Sequence, residues 1–245
     1  MSADNLADHM PELHGNRTHF NEEMQRLEEQ GLSGLDLVAR TLDRTREAIR
    51  EQDVELAEMI IADDDVLDGL YLQVHQGVLS LLARQAPVAG DLRLVAAMLD
   101  VMKHIERMGD QCVNAAKMIP LAGHEPPREL DILRAIDRMA AQAKAQVLQA
   151  KQAFTSRDVA LAEDLVRQDD EIDRLNRGVF RLALEAGHDA DTREWAMTMM
   201  LMARAIERIG DNAVDIGEQV AFIVTGLFRE FTDASHPDVA PPPAV

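Results

Sequence analysis

At 245 residues the chain is long enough for one large domain or two small ones, and its 47% hydrophobic content includes only 3% aromatics. A core built from Leu, Ile, Val, Ala and the 13 Met suits packed helices and excludes the Tyr-, Phe- and Thr-rich strands of an all-β protein. A formal charge of −19 repels phosphate backbones, which argues against nucleic acid as a partner and for cations or a basic protein surface.

In chain order, the head (residues 1–17) is polar, lacks the apolar stretch of a signal peptide and is expected to be disordered. Apolar residues then recur at three- and four-residue spacing, and proline, glycine and capping residues divide them into six long helices. The first runs from about Thr18 to Arg50, with Gly31 and Gly34 as points of disturbance. The second starts after Asp53, an N-cap, and ends before Pro87. The third starts after Asp91 and ends near Pro120. A linker (residues 121–128) carries Pro126 and Pro127. The fourth helix spans about Glu129 to Ser156, the fifth starts after a second capping residue, Asp158, and ends near Gly187, and the sixth runs from around Asp191 to about Phe231. Met197, Met199, Met200 and Met202 are expected in the core of that last helix. The Pro-rich tail (residues 232–245) is expected to be extended and disordered.

The most apolar run, Trp195 to Ile206, is interrupted by Arg204 and falls short of the roughly 20 residues that cross a bilayer, so no membrane insertion is expected. The single cysteine, Cys112, allows no disulfide within the chain, which fits a reducing compartment. A cytoplasmic protein is the expectation.

The second half repeats the first. Asp53 to Asp68 reads DVELAEMIIADDDVLD and Asp158 to Asp173 reads DVALAEDLVRQDDEID, identical at eight of 16 positions. HIERMGDQCVN (His104 to Asn114) likewise matches AIERIGDNAVD (Ala205 to Asp215). The offset changes from 105 (Asp53 to Asp158) to 101 (Glu106 to Glu207), and the difference falls in the connection at residues 86–91, a predicted loop. The expected fold is therefore all-α, a tandem repeat of two three-helix bundles related by a pseudo-two-fold, over residues 18–120 and 129–231.

Each copy carries two acidic turns. Asp64 and Asp68 stand four apart on the second helix, and Glu106 and Asp110 on the third; Asp169 and Asp173, then Glu207 and Asp211, are their copies. Residues four apart share a helix face. With the two helices side by side, four carboxylates converge; at about 6 Å and an effective dielectric near 20, each pair repels by roughly 3 kcal/mol. A divalent cation would remove that penalty. Asn114 and Asp215 continue the stripe one turn on and are candidates for supporting or ligating oxygens. Gly109 and Gly210 sit inside these turns, where glycine costs about 1 kcal/mol relative to alanine; it either makes room for a metal cluster or permits close helix approach. Arg107 and Arg208 are placed to pair with the aspartate three residues on, or are ordinary surface cations.

The motifs DDDVLDGLY (Asp63 to Tyr71) and DDEIDRLN (Asp169 to Asn176), together with IERMGD and IERIGD, resemble those of the PhoU family, and the resemblance covers about Leu35 to Gly226. It implies two three-helix bundles whose acidic turns hold multinuclear metal clusters (iron, zinc, manganese or magnesium). The ligands carried over are Asp64, Asp68, Glu106, Asp110, Asp169, Asp173, Glu207 and Asp211. It also implies a cytoplasmic regulator of phosphate uptake and phosphate-starvation signalling, which contacts the ATPase of a phosphate ABC transporter and a sensor kinase; a homodimer is a separate expectation, which the sequence does not decide. Asp215 departs from the family pattern, which often has Asn there, as at Asn114.

Two other readings stay open. A ferritin-like di-iron redox protein needs Glu-x-x-His, and the positions three after Glu106 and Glu207 are glycines. A metal-free helical scaffold needs no acidic convergence. Nothing in the sequence is expected to be catalytic: there is no glycine-rich phosphate loop and no G-x-S-x-G. His104 meets Ala205 in the repeat, which argues against a ligand role, and Cys112 meets Ala213, which argues for a small buried residue. His9, His14 and His19 are five apart and share no helical face.

Overall fold

The computed structural model describes residues 10–122, 129–187 and 189–231, with side chains from Arg17 onward. The described residues form seven helices: α1 (Met10–Glu51), α2 (Val54–Ala62), α3 (Asp64–Arg84), α4 (Gly90–Leu121), α5 (Leu130–Ser156), α6 (Val159–Glu185) and α7 (Ala190–Thr225). They make six rods, because α2 and α3 share one rod broken at Asp63. The expected disorder of residues 1–9 and 232–245, and the expected linker at 123–128, lie outside the described residues.

The two capping residues read from the sequence do cap. The Asp53 carboxylate accepts from the Leu56 N–H at 2.9 Å, and that of Asp158 accepts from Ala160 and Leu161 at 2.9 and 3.1 Å. The turns before them are copies too. Gln52 and Arg157 both adopt φ 56°, and the next N–H closes back onto the preceding helix, from Asp53 to Ala48 O (2.9 Å) and from Asp158 to Ala153 O (3.0 Å). Side chains hold these left-handed residues in place. Gln52 Nε2 donates to Ile119 O, while the Arg157 guanidinium lies over the Phe154 ring and pairs with Glu28.

Five expectations need correction. The first helix begins at Met10, inside the head expected to be disordered, and it runs through Gly31 and Gly34 without a break. Those glycines serve approach instead: a Cβ on Gly31 would lie 2.8 Å from Met98 and one on Gly34 2.8 Å from Ile105, so α1 seats against α4 only without them. The second rod breaks at Asp63, where three consecutive acids place Asp64 and Asp65 in the first turn of α3, the helix end that favours negative charge. The last helix stops at Thr225, because Gly226 turns left-handed at φ 76° and the chain folds back until Phe231 N donates to Glu218 at 2.7 Å. Met199 and Met202 are buried and Met200 packs against the core, but Met197 is 66% exposed.

α4 and α7 are the central helices, and they pack against each other along the seam between the two halves. Met98, Val101, Met102 and Ile105 of α4 and Met202, Ile206, Ile209 and Ile216 of α7 are fully buried in one continuous apolar core. Each such side chain contributes about 1.5–3 kcal/mol by leaving water. α1 and α5 also meet across the seam, antiparallel, with a ladder of ion pairs: Glu28–Arg157 (2.6 Å), Asp36–Lys151 (2.6 Å), Asp43–Lys144 (2.5 Å) and Arg46–Asp137 (2.8 Å). Pairs this exposed contribute about 0–1 kcal/mol each, so they set register while the apolar seam supplies stability. Among the described residues, no helix is long and apolar enough to cross a membrane.

Candidate metal centres

The acidic turns face one another in each half, with different degrees of burial. In the first half, Asp64 and Asp68 project from α3, and Glu106 and Asp110 from α4. Asp64 and Glu106 are partly covered; Asp68 and Asp110 are exposed. Burial raises the carboxyl of Asp64, and the charges of Asp68 and Asp110 raise it further. Glu106 is raised by burial, then by Asp110 and Asp68. These four acids therefore act on one another across α3 and α4.

In the second half the corresponding acids are deeper. Asp169 of α6 is 6% exposed and Glu207 of α7 is 5% exposed, flanked by half-buried Asp173 and Asp211. Burial, together with Asp211, Asp173 and Asp169, pushes the Glu207 carboxyl up to about 7 against the opposing pull of Arg204. Arg204 pairs directly with Glu207 Oε1, and Arg177 pairs with Asp173 at 3.0 Å. Glu207 Oε2 is buried with no hydrogen-bond partner.

Gln146 of α5 completes this second cluster. It is fully buried; its Nε2 donates to Leu165 O and Asp169 Oδ1, both at 3.3 Å, and its Oε1 has no partner. A Cβ on Gly210 would lie 2.5 Å from Asp169 Oδ1 and 2.8 Å from Gln146 Oε1. Glycine there is what lets the carboxylate and the amide sit beneath α7. Gly109 differs: a Cβ there would run into Leu67, with Asp64 Oδ1 further off at 3.8 Å. The two roles weighed for glycine thus divide between the halves, close helix approach at Gly109 and room for polar groups at Gly210.

The donor set suits a hard cation. It is all oxygen, two members are buried acceptors lacking a donor, and the carboxylates repel one another. Among the described residues, however, no three His, Cys, Asp or Glu side chains stand in ready-made metal-binding geometry. Glu207 and Asp173 are turned toward arginines.

Residues the sequence did not single out shape the surroundings. Gln149 and Gln168 bond each other at 2.6 Å, and both donate to Asp164, whose carboxyl they and Arg167 hold down at about 2. The repeat places Arg44 and Asp63 at the same positions in the first half, and these pair at 2.6 Å. Thr41 stands where Gln146 stands, and the smaller side chain leaves a cleft of about 300 Å³ bordered by Arg44, Asp63, Asp64 and Gly109. Arg204 is the arginine on Glu207. Its signal was the three-residue spacing; that of Gln146 was a polar residue in the buried stripe Ala143, Gln146, Ala150.

Asp215 and His104 make a contact that the sequence does not signal. His104 Nδ1 lies 3.2 Å from Asp215 Oδ2 and 2.9 Å from Asn212 Oδ1, joining α4 to α7 across the seam. Burial works to lower the imidazole, but the bonds to Asp215 and Asn212 outweigh it and the net shift is upward. The mirrored pair would be Ala205 and Asn114, which cannot form it, so this tie exists once. Cys112 is fully buried and its thiol is pushed up to about 12, which leaves it inert.

The chain matches the PhoU domain twice, over residues 34–119 and 136–220. A phosphate-specific transport system accessory protein PhoU homolog of Clostridium acetobutylicum is 27% identical over 89% of this chain and 99% of its own length. The counterpart of that name in Rhizobium meliloti is 32% identical over 84% of this chain and 87% of its own. The crystal structure of PhoU from Pseudomonas aeruginosa superposes with a TM-score of 0.76 at 26% identity, over 85% of this chain and all of that one. Two tandem copies of one helical unit, with the acidic turns at matching positions in each, are accounted for by a single conclusion: the chain belongs to the PhoU family.

Proposed function

We propose that this protein is a cytoplasmic accessory regulator of phosphate transport whose two acidic clusters bind divalent or trivalent metal ions. The observation that carries the metal reading is the second cluster. There Glu207 Oε2 and Gln146 Oε1 are buried acceptors without a donor, and Gly210 leaves room for Gln146 and Asp169 beneath α7. A bound cation supplies the positive charge that lets these carboxylates ionise in a poorly solvated place. The chain's own residues do the rest. Asp169 and Glu207 anchor, Asp173 and Asp211 flank, and Arg204 and Arg177 hold carboxylates that a metal would recruit. Asp64, Asp68, Glu106 and Asp110 form the shallower site.

The regulatory half of the proposal rests on the names borne by the relatives, accessory proteins of a phosphate-specific transport system. The partners that follow are the ATPase of a phosphate ABC transporter and a phosphate-response sensor kinase, with homodimerisation as a further expectation.

Metal content after mild purification and thermal shifts with Mn, Fe, Zn and Mg test the site. Glu106→Ala with Asp110→Ala should empty the first half and leave the second loaded. Absence of bound metal and of any thermal response in the parent protein would overturn the metal reading. Joint loss of both loads would overturn the independence of the sites.

A further inference from the structure

We propose that Gln146 of α5 is itself a ligand of the second centre, its Oε1 supplying a neutral amide oxygen to a hard divalent cation from a third helix. The assignment rests on the metal reading above and deepens it, since the acidic turns of α6 and α7 offer carboxylates only. A glutamine is out of pattern here. It stands among Met139, Ala140, Ala143, Val147 and Ala150, the face by which α5 packs into the core, and it is fully buried. A buried amide is costly unless both of its ends find partners, and only one end of this one does. Nε2 donates to Leu165 O and Asp169 Oδ1, both at 3.3 Å, while Oε1 has no partner.

The neighbours decide which end of the amide is which. Leu165 O and Asp169 Oδ1 are both acceptors, so the end that faces them is the NH2; turning the amide over would set oxygen against oxygen. The amide oxygen is therefore held on the side of α7, 2.8 Å from where a Cβ on Gly210 would lie, and Asp169 Oδ1 is 2.5 Å from that same point. Glu207, three residues earlier on α7 and within electrostatic reach of Asp169, leaves a second buried oxygen without a donor. A cation satisfies oxygens that no N–H or O–H reaches. An amide oxygen adds a donor atom without adding charge to the mutually repelling Asp169, Asp173, Glu207 and Asp211. The first half is a control within the same chain. The shorter Thr41 occupies the copy position, and Gly109 faces Leu67 rather than an oxygen, so the first centre has no counterpart of this ligand.

Titration of the full chain with Mn²⁺, read by the electron paramagnetic resonance of the free ion, tests the assignment. Gln146→Met keeps the length of the side chain and removes its oxygen; the affinity of one class of sites should fall by about tenfold or more. Gln146→Glu returns an oxygen at the same reach and should restore affinity to within about threefold of the parent, or above it. A role in packing alone predicts no such rescue. Thr41→Ala, at the copy position, should leave both classes unchanged. Circular dichroism checks the fold. If Gln146→Met does not fold, Gln146→Thr decides, with the same loss expected, because threonine is the residue that the first half carries there. Unchanged affinity in the folded variant, or a loss that Gln146→Glu does not repair, overturns the assignment and leaves the metal reading standing. No Mn²⁺ binding by the parent overturns the assignment to a hard divalent cation and, with no response to Fe, Zn or Mg either, the metal reading with it.

Discussion

The two halves of this molecule carry the same acids at the same repeat positions, yet they have put them in different environments. In the first half, Asp68 and Asp110 are open to water, Thr41 leaves a cleft, and Gly109 faces the apolar Leu67. In the second, Asp169 and Glu207 are buried, Gln146 fills the equivalent of the cleft, and Gly210 faces a carboxylate and an amide. The tie between the first two rods of each half differs in kind as well, an Arg44–Asp63 ion pair in one and a Gln149–Gln168 amide pair in the other. Duplication preserved the position of charge, and divergence at neighbouring helices changed how strongly that charge is desolvated. The same carboxylate stripe thus provides a shallow cluster and a deep one.

The largest expected effect separates the two glutamates. In chelator-treated protein, Glu207 has a folded value near 7 against an unfolded value near 4.5, so the folded state disfavours its ionised form. Its contribution is therefore neutral at low pH, and stability is lost as pH rises from about 4.5 to 7. The full penalty, of order 3 kcal/mol, applies above that range. Glu207→Gln should remove this loss and be more stable than the parent at about pH 8, while Glu106→Gln gains less. Urea unfolding of both variants at low and high pH reads the difference; Glu218, also near 7, contributes a common background. Equal gains in the two variants would erase the distinction between deep and shallow sites.

The glycines come next. Gly210→Ala pushes a methyl group into Asp169 and Gln146, and should destabilise by about 1–2 kcal/mol even after the gain in helix propensity. Gly109→Ala meets the flexible tip of Leu67 and should change stability by less than about 0.5 kcal/mol. Thermal melts of the pair test this, and the reverse order would mean that the polar cluster is not what Gly210 accommodates.

The smallest effect concerns the seam. The raised value of His104 means that its tie to Asp215 is fully present below about pH 6.5 and fades as pH rises through the folded value. His104→Ala should cost about 0.5–1 kcal/mol at acid pH and less at alkaline pH. A cost independent of pH would reduce the contact to simple packing.

Much of this was legible in the amino-acid order, because helix periodicity, capping aspartates and a duplicated motif are short-range signals. Asp53 and Asp158 announced two helix starts, and the shared turns announced both acidic pairs. Gly31 and Gly34 misled: glycine inside a helix reads locally as a weak point, whereas the nearness of Met98 and Ile105 is a fact about α4. The tie from Asp215 to His104 was not legible either, since the two stand on different helices and the histidine is absent from the mirrored position. The sequence by itself determined the helices, the repeat and the face on which each acid stands. Only the tertiary structure decided which acids lose their water and that Gln146 and Arg204 join the second cluster. The physical reason is that helical geometry follows from residues within a few positions of each other, while desolvation and pairing depend on side chains brought together from helices far apart in the chain.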